Sequence, residues 1–300
     1  MYAITGASGN TGHVIAQRLL AAGQKVRAIG RDAGHLSPLA EKGAEVVIAD
    51  VTDASALRKA FSGAKAVYVM IPPNPSAPDV NAYSEQVSDA EASAINAAEV
   101  EHAVMLSSVG ADKAGGTGPV TGLHNFEHKL SRIAGLNALY VRAGYFMENV
   151  LPQVAVIKNF GSVAGPLRAD LRVPMIAARD IGAFAADALL ALDFRGKQTR
   201  ELLGGREVSY SEVAALLGKA IGKPDLAYNQ LPAAQLEPIF VQMGMSVSMA
   251  RLLLEMSEAM NSGHMVALEP RTDRNSTPTS IEQFVAEEFV PRFNQKAAGA

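Results

Sequence analysis

The sequence contains no cysteine among its 300 residues. That absence excludes disulfides, thiolate nucleophiles and cysteine-bound metals, and it is compatible with a reducing compartment. Charge of one sign is also scarce. Charged residues make up 19% and the formal net charge is −3, so the chain as a whole has no attraction for nucleic acid or an anionic membrane. The most basic piece, residues 195–206, is interrupted by acids and glycines and reads as a solvated face. No stretch approaches the roughly 20 uninterrupted apolar residues that a bilayer span requires. Strand-forming residues begin at Tyr2 and run straight into a glycine loop. We therefore expect no signal peptide and a cytoplasmic protein. Apolar residues, by contrast, are plentiful at 48%, enough to bury a sizeable core.

Those apolar residues fall into a rhythm. Short β-branched runs at 2–5, 25–30, 45–49, 66–70, 103–107 and 138–142 read as strands. Amphipathic stretches at 11–22, 36–42, 54–61, 82–100 and 124–133 read as the helices between them. The strands are continuously apolar rather than alternating, as strands are when helices cover both faces of a parallel sheet. This predicts a doubly wound α/β fold. Beyond about residue 145 the rhythm loosens. Residues 171–176 read as a strand, and residues 180–191 as a helix with Asp180 as N-cap. Ser209 and Glu212 form a capping box for a helix running to Ile221, ended by Gly222-Lys223-Pro224. A short strand is expected at 226–229, a methionine-rich helical stretch at 236–265 and a frayed tail at 296–300. The expected organisation is a first domain over residues 1–150 and a smaller, mainly helical substrate lobe over 151–300, intertwined with it.

Between the first strand and the first helix lies Gly6-Ala7-Ser8-Gly9-Asn10-Thr11-Gly12. A glycine loop in that context is a dinucleotide-binding fingerprint of the Rossmann type. Glycine lets the backbone turn sharply and lets a pyrophosphate approach the amides, while the helix N-terminus adds free N–H groups and its dipole. Ser8, Asn10 and Thr11 add side-chain donors. An acid at the end of the second strand would favour NAD, but Gly30-Arg31 stands there instead, followed by Asp32. A guanidinium at that point suits a 2′-phosphate, so NADP(H) is expected over NAD(H). A surface arginine paired with Asp32 is the competing reading. Asp50 and Val51, after the third strand, are placed to meet the adenine, and Ile71 and Pro72, after the fourth, to border the nicotinamide.

The loop, Arg31 and residues 136–150 (LNALYVRAGYFMENV) together resemble the NmrA-like family, an atypical branch of the short-chain dehydrogenases/reductases. The resemblance implies a nicotinamide cofactor. The family holds NADPH-dependent reductases of quinones, dyes and other small electrophiles, and also cofactor-binding regulators that sense redox state without turnover. A reductase of a small, quinone-like acceptor is the expectation. A non-catalytic NADP sensor acting through a regulatory protein partner is the alternative.

The proton-donating Tyr-x-x-x-Lys pair of ordinary short-chain enzymes is absent, since none of the seven tyrosines has a lysine four residues later. The family's register places Val120 at the tyrosine position and His124 at the lysine position, where a histidine can bond the nicotinamide ribose or relay a proton. A capping or structural histidine is the plainer reading, and Lys129 a competing candidate one turn on. Ser107 and Ser108 match the region of the usual catalytic serine, and Tyr145 is a candidate wall of the nicotinamide pocket. His124-Asn125-Phe126-Glu127-His128 also fits the H-x-x-E-H zinc pattern, but it falls beside the expected nicotinamide site, and no metal is expected. Met243, Met245, Met249, Met256, Met260 and Met265 suit an adaptable pocket for a flat apolar substrate, a helix-packing core or a homodimer face.

Overall fold

The structure is a computed structural model that describes residues 1–295, so the tail expected at 296–300 lies outside the described residues. The chain opens with β1 (Tyr2–Ile4), α1 (Asn10–Ala21), β2 (Val26–Gly30), α2 (Ala33–Ala40), β3 (Glu45–Ile48), α3 (Ala54–Phe61) and β4 (Ala66–Val69). It continues with α4 (Val80–Ala97), β5 (His102–Ser108), α5 (Val120–Ser131) and β6 (Asn137–Ala143). Every expected strand and helix of this half is present. The helix expected from residue 124 begins a turn earlier, at Val120, so His124 sits in its second turn rather than at its start.

The second half supplies β7 (Tyr145–Phe146), α6 (Gln153–Phe160), β8 (Val163–Gly165), β9 (Val173–Ile176), α7 (Ala178–Ala191), β10 (Lys197–Leu202) and β11 (Glu207–Val208). Then come α8 (Tyr210–Ala220), β12 (Tyr228–Gln230), α9 (Ala233–Gln242) and α10 (Val247–Asn261). A final helical stretch joins α11 (Ile281–Phe284), a π-helical turn (Val285–Phe289) and α12 (Val290–Asn294).

Seven parallel strands form the main sheet, in the order β10-β6-β5-β4-β1-β2-β3. The order reverses between β1 and β4, which opens a crevice beyond their carboxyl ends, where ligands of such sheets bind. Side chains alternate across the sheet as the pleat requires. Tyr2 and Ile4 pack with Ile15 and Leu19 of α1 and Ile181 and Leu189 of α7 on one face. Ala3 packs with Phe61 of α3, Ile95 of α4 and Phe126 of α5 on the other. A third core, holding Met147, Met175, Val213 and Phe284, belongs to the second half.

Four expectations need correction. The basic piece at 195–206 is not merely a solvated face, because its first part is β10, the seventh strand, paired in register with β6. Two of its cations serve backbone groups, Lys197 donating to the carbonyls of Ile133 and Leu136 and Arg195 to those of Leu192 and Phe194, while Arg206 pairs with Glu282. The helix expected from Asp180 begins at Ala178, and Asp180 is not its cap. The Asp180 carboxylate instead accepts from the backbone N–H and hydroxyl of Thr279, both at under 3 Å. The Glu148 carboxylate does the capping, accepting from Ala178 N at 3.0 Å. The single helix expected at 236–265 is two, parted at Gly244 (φ +93°), with Ser246 capping the second. The capping box at Ser209 and Glu212 is present as expected. No helix among the described residues is long and apolar enough to cross a membrane.

Candidate functional site

The glycine loop turns at the carboxyl end of β1, and its geometry explains its composition. Gly6 has φ +60°, a left-handed conformation that favours glycine. A Cβ on Gly12 would lie 2.3 Å from the Gly6 carbonyl oxygen and 2.8 Å from its carbon, both rigid backbone. Gly9 closes the turn by donating its N–H to Gly6 O at 2.9 Å, and as N-cap of α1 it offers no side chain. The first N–H groups of α1 are therefore left to a ligand. Ser8 and Asn10 are exposed at the loop. Thr11 is not: it is buried, and its hydroxyl lies 2.8 Å from the Tyr68 hydroxyl beneath the loop. Its hydroxyl is thus taken up inside the protein rather than exposed at the loop surface.

Next to the loop, Arg31 is exposed at the end of β2. Asp32 is occupied in capping α2 through His35 N, at 3.1 Å, and forms no ion pair with Arg31. Arg31 instead acts on Asp50 after β3. The N–H and hydroxyl of Thr52 hold the Asp50 carboxyl below the usual range, and Arg31 adds to this. Burial pushes the Tyr83 phenol of α4 up, and the Asp50 charge pushes it further. Arg31, Asp50 and Tyr83 thus share one corner, with Val51 buried beside Asp50. Tyr83 had no sequence signal, because it lies on a helix 33 residues beyond Asp50.

On the other side of the crevice, β4 leads into Ile71 and Pro72, both half-buried. A Cβ on Gly122 of α5 would meet Ser84 Cβ at 2.8 Å and Ile71 Cδ1 at 3.8 Å, so glycine draws α5 close to this edge. His124 follows two residues later. Its Nδ1 lies 2.8 Å from the Ala111 carbonyl, which only accepts, so Nδ1 carries the proton and Nε2 of the neutral ring is bare. The His128 ring lies 4.2 Å from that of His124, tilted by 40° to it. Glu127 faces elsewhere, buried between Ser107 (2.5 Å) and Arg142 (2.6 Å). That ion pair ties α5 to β5 and β6, so Ser107 and Glu127 of the H-x-x-E-H stretch are structural. Among the described residues no three His, Asp or Glu side chains could hold a metal. Lys129 pairs with Glu85 and Asp89 on α4.

A cavity of about 380 Å³ opens at the ends of β5 and β6. Ser108, Tyr145 and Phe146 line the sheet side, and Met256, Met260 and Met265 the side towards α10. Ser108 donates to the Val109 carbonyl at 2.9 Å. The Tyr145 and Tyr210 hydroxyls lie 3.0 Å apart, and burial raises the pKa of both. The six methionines therefore divide. Three line the cavity, Met245 and Met249 pack against Ala77 and Val80, and Met243 is exposed. Neither the loop glycines nor His124 line the cavity itself; residues 109–111 separate His124 from it.

With this geometry in hand, residues 2–289 match the NmrA-like family. An NAD(P)H azoreductase of Xenophilus azovorans is 29% identical over 258 residues, 85% of this chain and 86% of that protein. Quinone oxidoreductase 2 of Escherichia coli is 26% identical over 268 residues, 88% of this chain and 89% of that protein. The crystal structure of a Citrobacter sp. triphenylmethane reductase complexed with NADP(H) shares the fold at a TM-score of 0.77. It is 20% identical, covering 94% of this chain and 98% of that one.

Proposed function

The chain belongs to the NmrA-like family, and from that premise we propose that it is an NADPH-dependent reductase of a small conjugated electrophile such as a quinone. One observation carries the reading. The glycine cradle at the end of β1 and the apolar cavity at the ends of β5 and β6 open along the same edge of one sheet. Relatives named as an azoreductase and a quinone oxidoreductase support the reaction class.

The residues present fit a dinucleotide. Gly6, Gly9 and Gly12 let the loop turn tightly enough for α1 to start against it, a contact that a Cβ at Gly12 would break. The N–H groups of Asn10, Thr11 and Gly12 and the side chains of Ser8 and Asn10 donate to its oxygens. Arg31 grips a 2′-phosphate, while Asp50 and Val51 border the adenine and Ile71 and Pro72 the nicotinamide. When bound, NADPH supplies the hydride, and the protein supplies orientation and exclusion of water. His124 Nε2 bonds the nicotinamide ribose, and in its protonated form the ring donates. Ser108 orients an acceptor oxygen at the cavity rim. Tyr145 shapes the wall: its raised pKa makes it a poor proton donor, unlike the acidified tyrosine of a Tyr-x-x-x-Lys pair. Reduction of a quinone to its hydroquinone takes one hydride and one proton, and solvent at the cavity mouth supplies the proton.

Steady-state NADPH oxidation against quinones, azo dyes and triarylmethane dyes tests the proposal. Turnover with at least one class is expected, reduced about tenfold by His124→Ala. Measurable NADPH affinity with no turnover of any acceptor would overturn it in favour of a cofactor sensor that acts through a protein partner.

A further inference from the structure

The cavity has one wall that is not apolar, formed by Arg172, Glu207, Glu269 and Arg271. Arg172 is already committed: it pairs with Glu212 at 3.1 Å and donates to the Glu207 carbonyl at 2.8 Å. Arg271 has no such partner. Its Nε is buried with no hydrogen-bond acceptor, and among the described residues no carboxylate pairs with its guanidinium. Glu207 and Glu269 share the wall without pairing to it. Arg271 as a whole is half-buried, and a guanidinium without a protein carboxylate on a cavity wall is open to an acceptor that a ligand brings.

The segment that carries Arg271 is fixed rather than loose. Glu201, 2% exposed, accepts from the backbone N–H groups of Leu268 and Glu269 at 2.8–3.0 Å. Asn275, 1% exposed, accepts from Thr272 N at 2.7 Å and donates to the Pro270 carbonyl at 3.0 Å. Asp180 holds Thr279 a few residues on. Buried polar side chains thus pin the chain on both sides of Arg271, so the guanidinium is presented to the cavity at little further entropic cost. Tyr145, Phe146 and the three methionines line the same cavity, surfaces suited to a flat ring.

The geometry points to Arg271 as the specificity determinant of this cavity: it binds an oxyanion substituent, a carboxylate or sulfonate, carried by a flat aromatic ligand. The planar fork of arginine matches such a group with two parallel N–H bonds, and the apolar wall takes the ring. This inference rests on the cavity being the acceptor site proposed above.

Calorimetric titration of the full chain with naphthalene-2-sulfonate and with neutral 2-naphthol tests it without any turnover. The wild-type protein is expected to bind the sulfonate at least about tenfold more tightly. Arg271→Gln should abolish that preference, and Arg271→Lys, which keeps the charge but not the fork, should retain part of it. Equal binding of the two probes by the wild type, or a preference that survives Arg271→Gln, overturns the assignment. The wild-type comparison stands even if a variant fails to fold. Turnover of neutral and sulfonated naphthoquinones separates the two proposals. Reduction of both at equal kcat/KM keeps the reductase and removes the role of Arg271. A sulfonate preference in binding without any reduction keeps Arg271 and removes the reductase.

Discussion

The phosphate cradle and the cavity lie on one edge of one sheet, yet they are assembled in opposite ways. The cradle is seven consecutive residues, Gly6 to Gly12, and works through backbone: a left-handed glycine, a contact that excludes a Cβ and a helix start without a side-chain cap. The cavity draws on separate segments, from Ser108 on β5 to Arg271 near the carboxyl end, and works through side chains. Backbone geometry tolerates no substitution at its tightest point, whereas a wall of methionines can re-pack. On the proposed reading, cofactor binding is concentrated in a few rigid backbone atoms, whereas the acceptor meets adaptable apolar walls and a single pinned cation, Arg271.

The comparison breaks most sharply at Gly12. In Gly12→Ala the new methyl carbon meets Gly6 O at 2.3 Å and Ala7 Cα at 3.0 Å, with no flexible side chain to give way. Overpacking of this kind costs about 1–3 kcal/mol of stability. NADPH affinity should fall at least about 100-fold, equivalent to about 2.7 kcal/mol. Fluorescence titration of NADPH reads this directly, and an affinity within a few-fold of wild type would show that the cradle does not hold the dinucleotide.

Arg31 is the charged side chain proposed to refine the cradle. It is free of Asp32, which caps α2, so an exposed guanidinium stands at the ribose corner. Arg31→Ala should weaken NADPH by about 10- to 50-fold, the scale of a charge-assisted contact, and NADH by about twofold or less. Equal losses for the two cofactors would sink the phosphate clamp and leave Arg31 a surface residue near Asp50.

The same contrast governs what a reader of the sequence can see. The buried parallel strands are contiguous apolar runs, and the cradle is a contiguous glycine pattern, so both are local signals and both are legible. β10 was hidden because it is an edge strand, Lys-Gln-Thr-Arg-Glu-Leu, half exposed and charged, and it looks like surface. The cap of α7 was misassigned to Asp180 because the group that caps it, Glu148, lies 30 residues earlier, while Asp180 is engaged by Thr279, 99 residues later. Arg271 carried no signal either, since only tertiary packing brings its segment to the cavity. His124 was legible through its register in the chain, but its bond to Ala111 and its separation from the cavity were not.

Beneath the cradle lies a buried acid with no partner. Glu91 of α4 has no exposed surface, and neither of its oxygens has a hydrogen-bond partner of good geometry. Thr5 and the Met70 backbone are its polar neighbours, but the Thr5 hydroxyl donates to the Tyr68 carbonyl at 3.2 Å. Burial therefore raises its pKa well above the usual 4.5. The sign follows from proton counting. Above about 4.5 the unfolded chain releases this proton while the folded chain keeps it, so Glu91 supports the fold fully at acid pH, and that support is lost as pH climbs towards the folded value. Glu91→Gln keeps the shape and removes the titration. Its stability relative to wild type should rise with pH, by up to about 1.4 kcal/mol per pH unit within that window. Thermal melts from about pH 5 to 8 should show the two curves diverging by a few degrees, the gap opening towards alkaline pH. Parallel curves would mean that Glu91 holds its proton no more tightly in the fold than outside it. Divergence would place a neutral acid directly under the loop that is proposed to receive a doubly charged pyrophosphate, where an ionised carboxylate would repel the ligand.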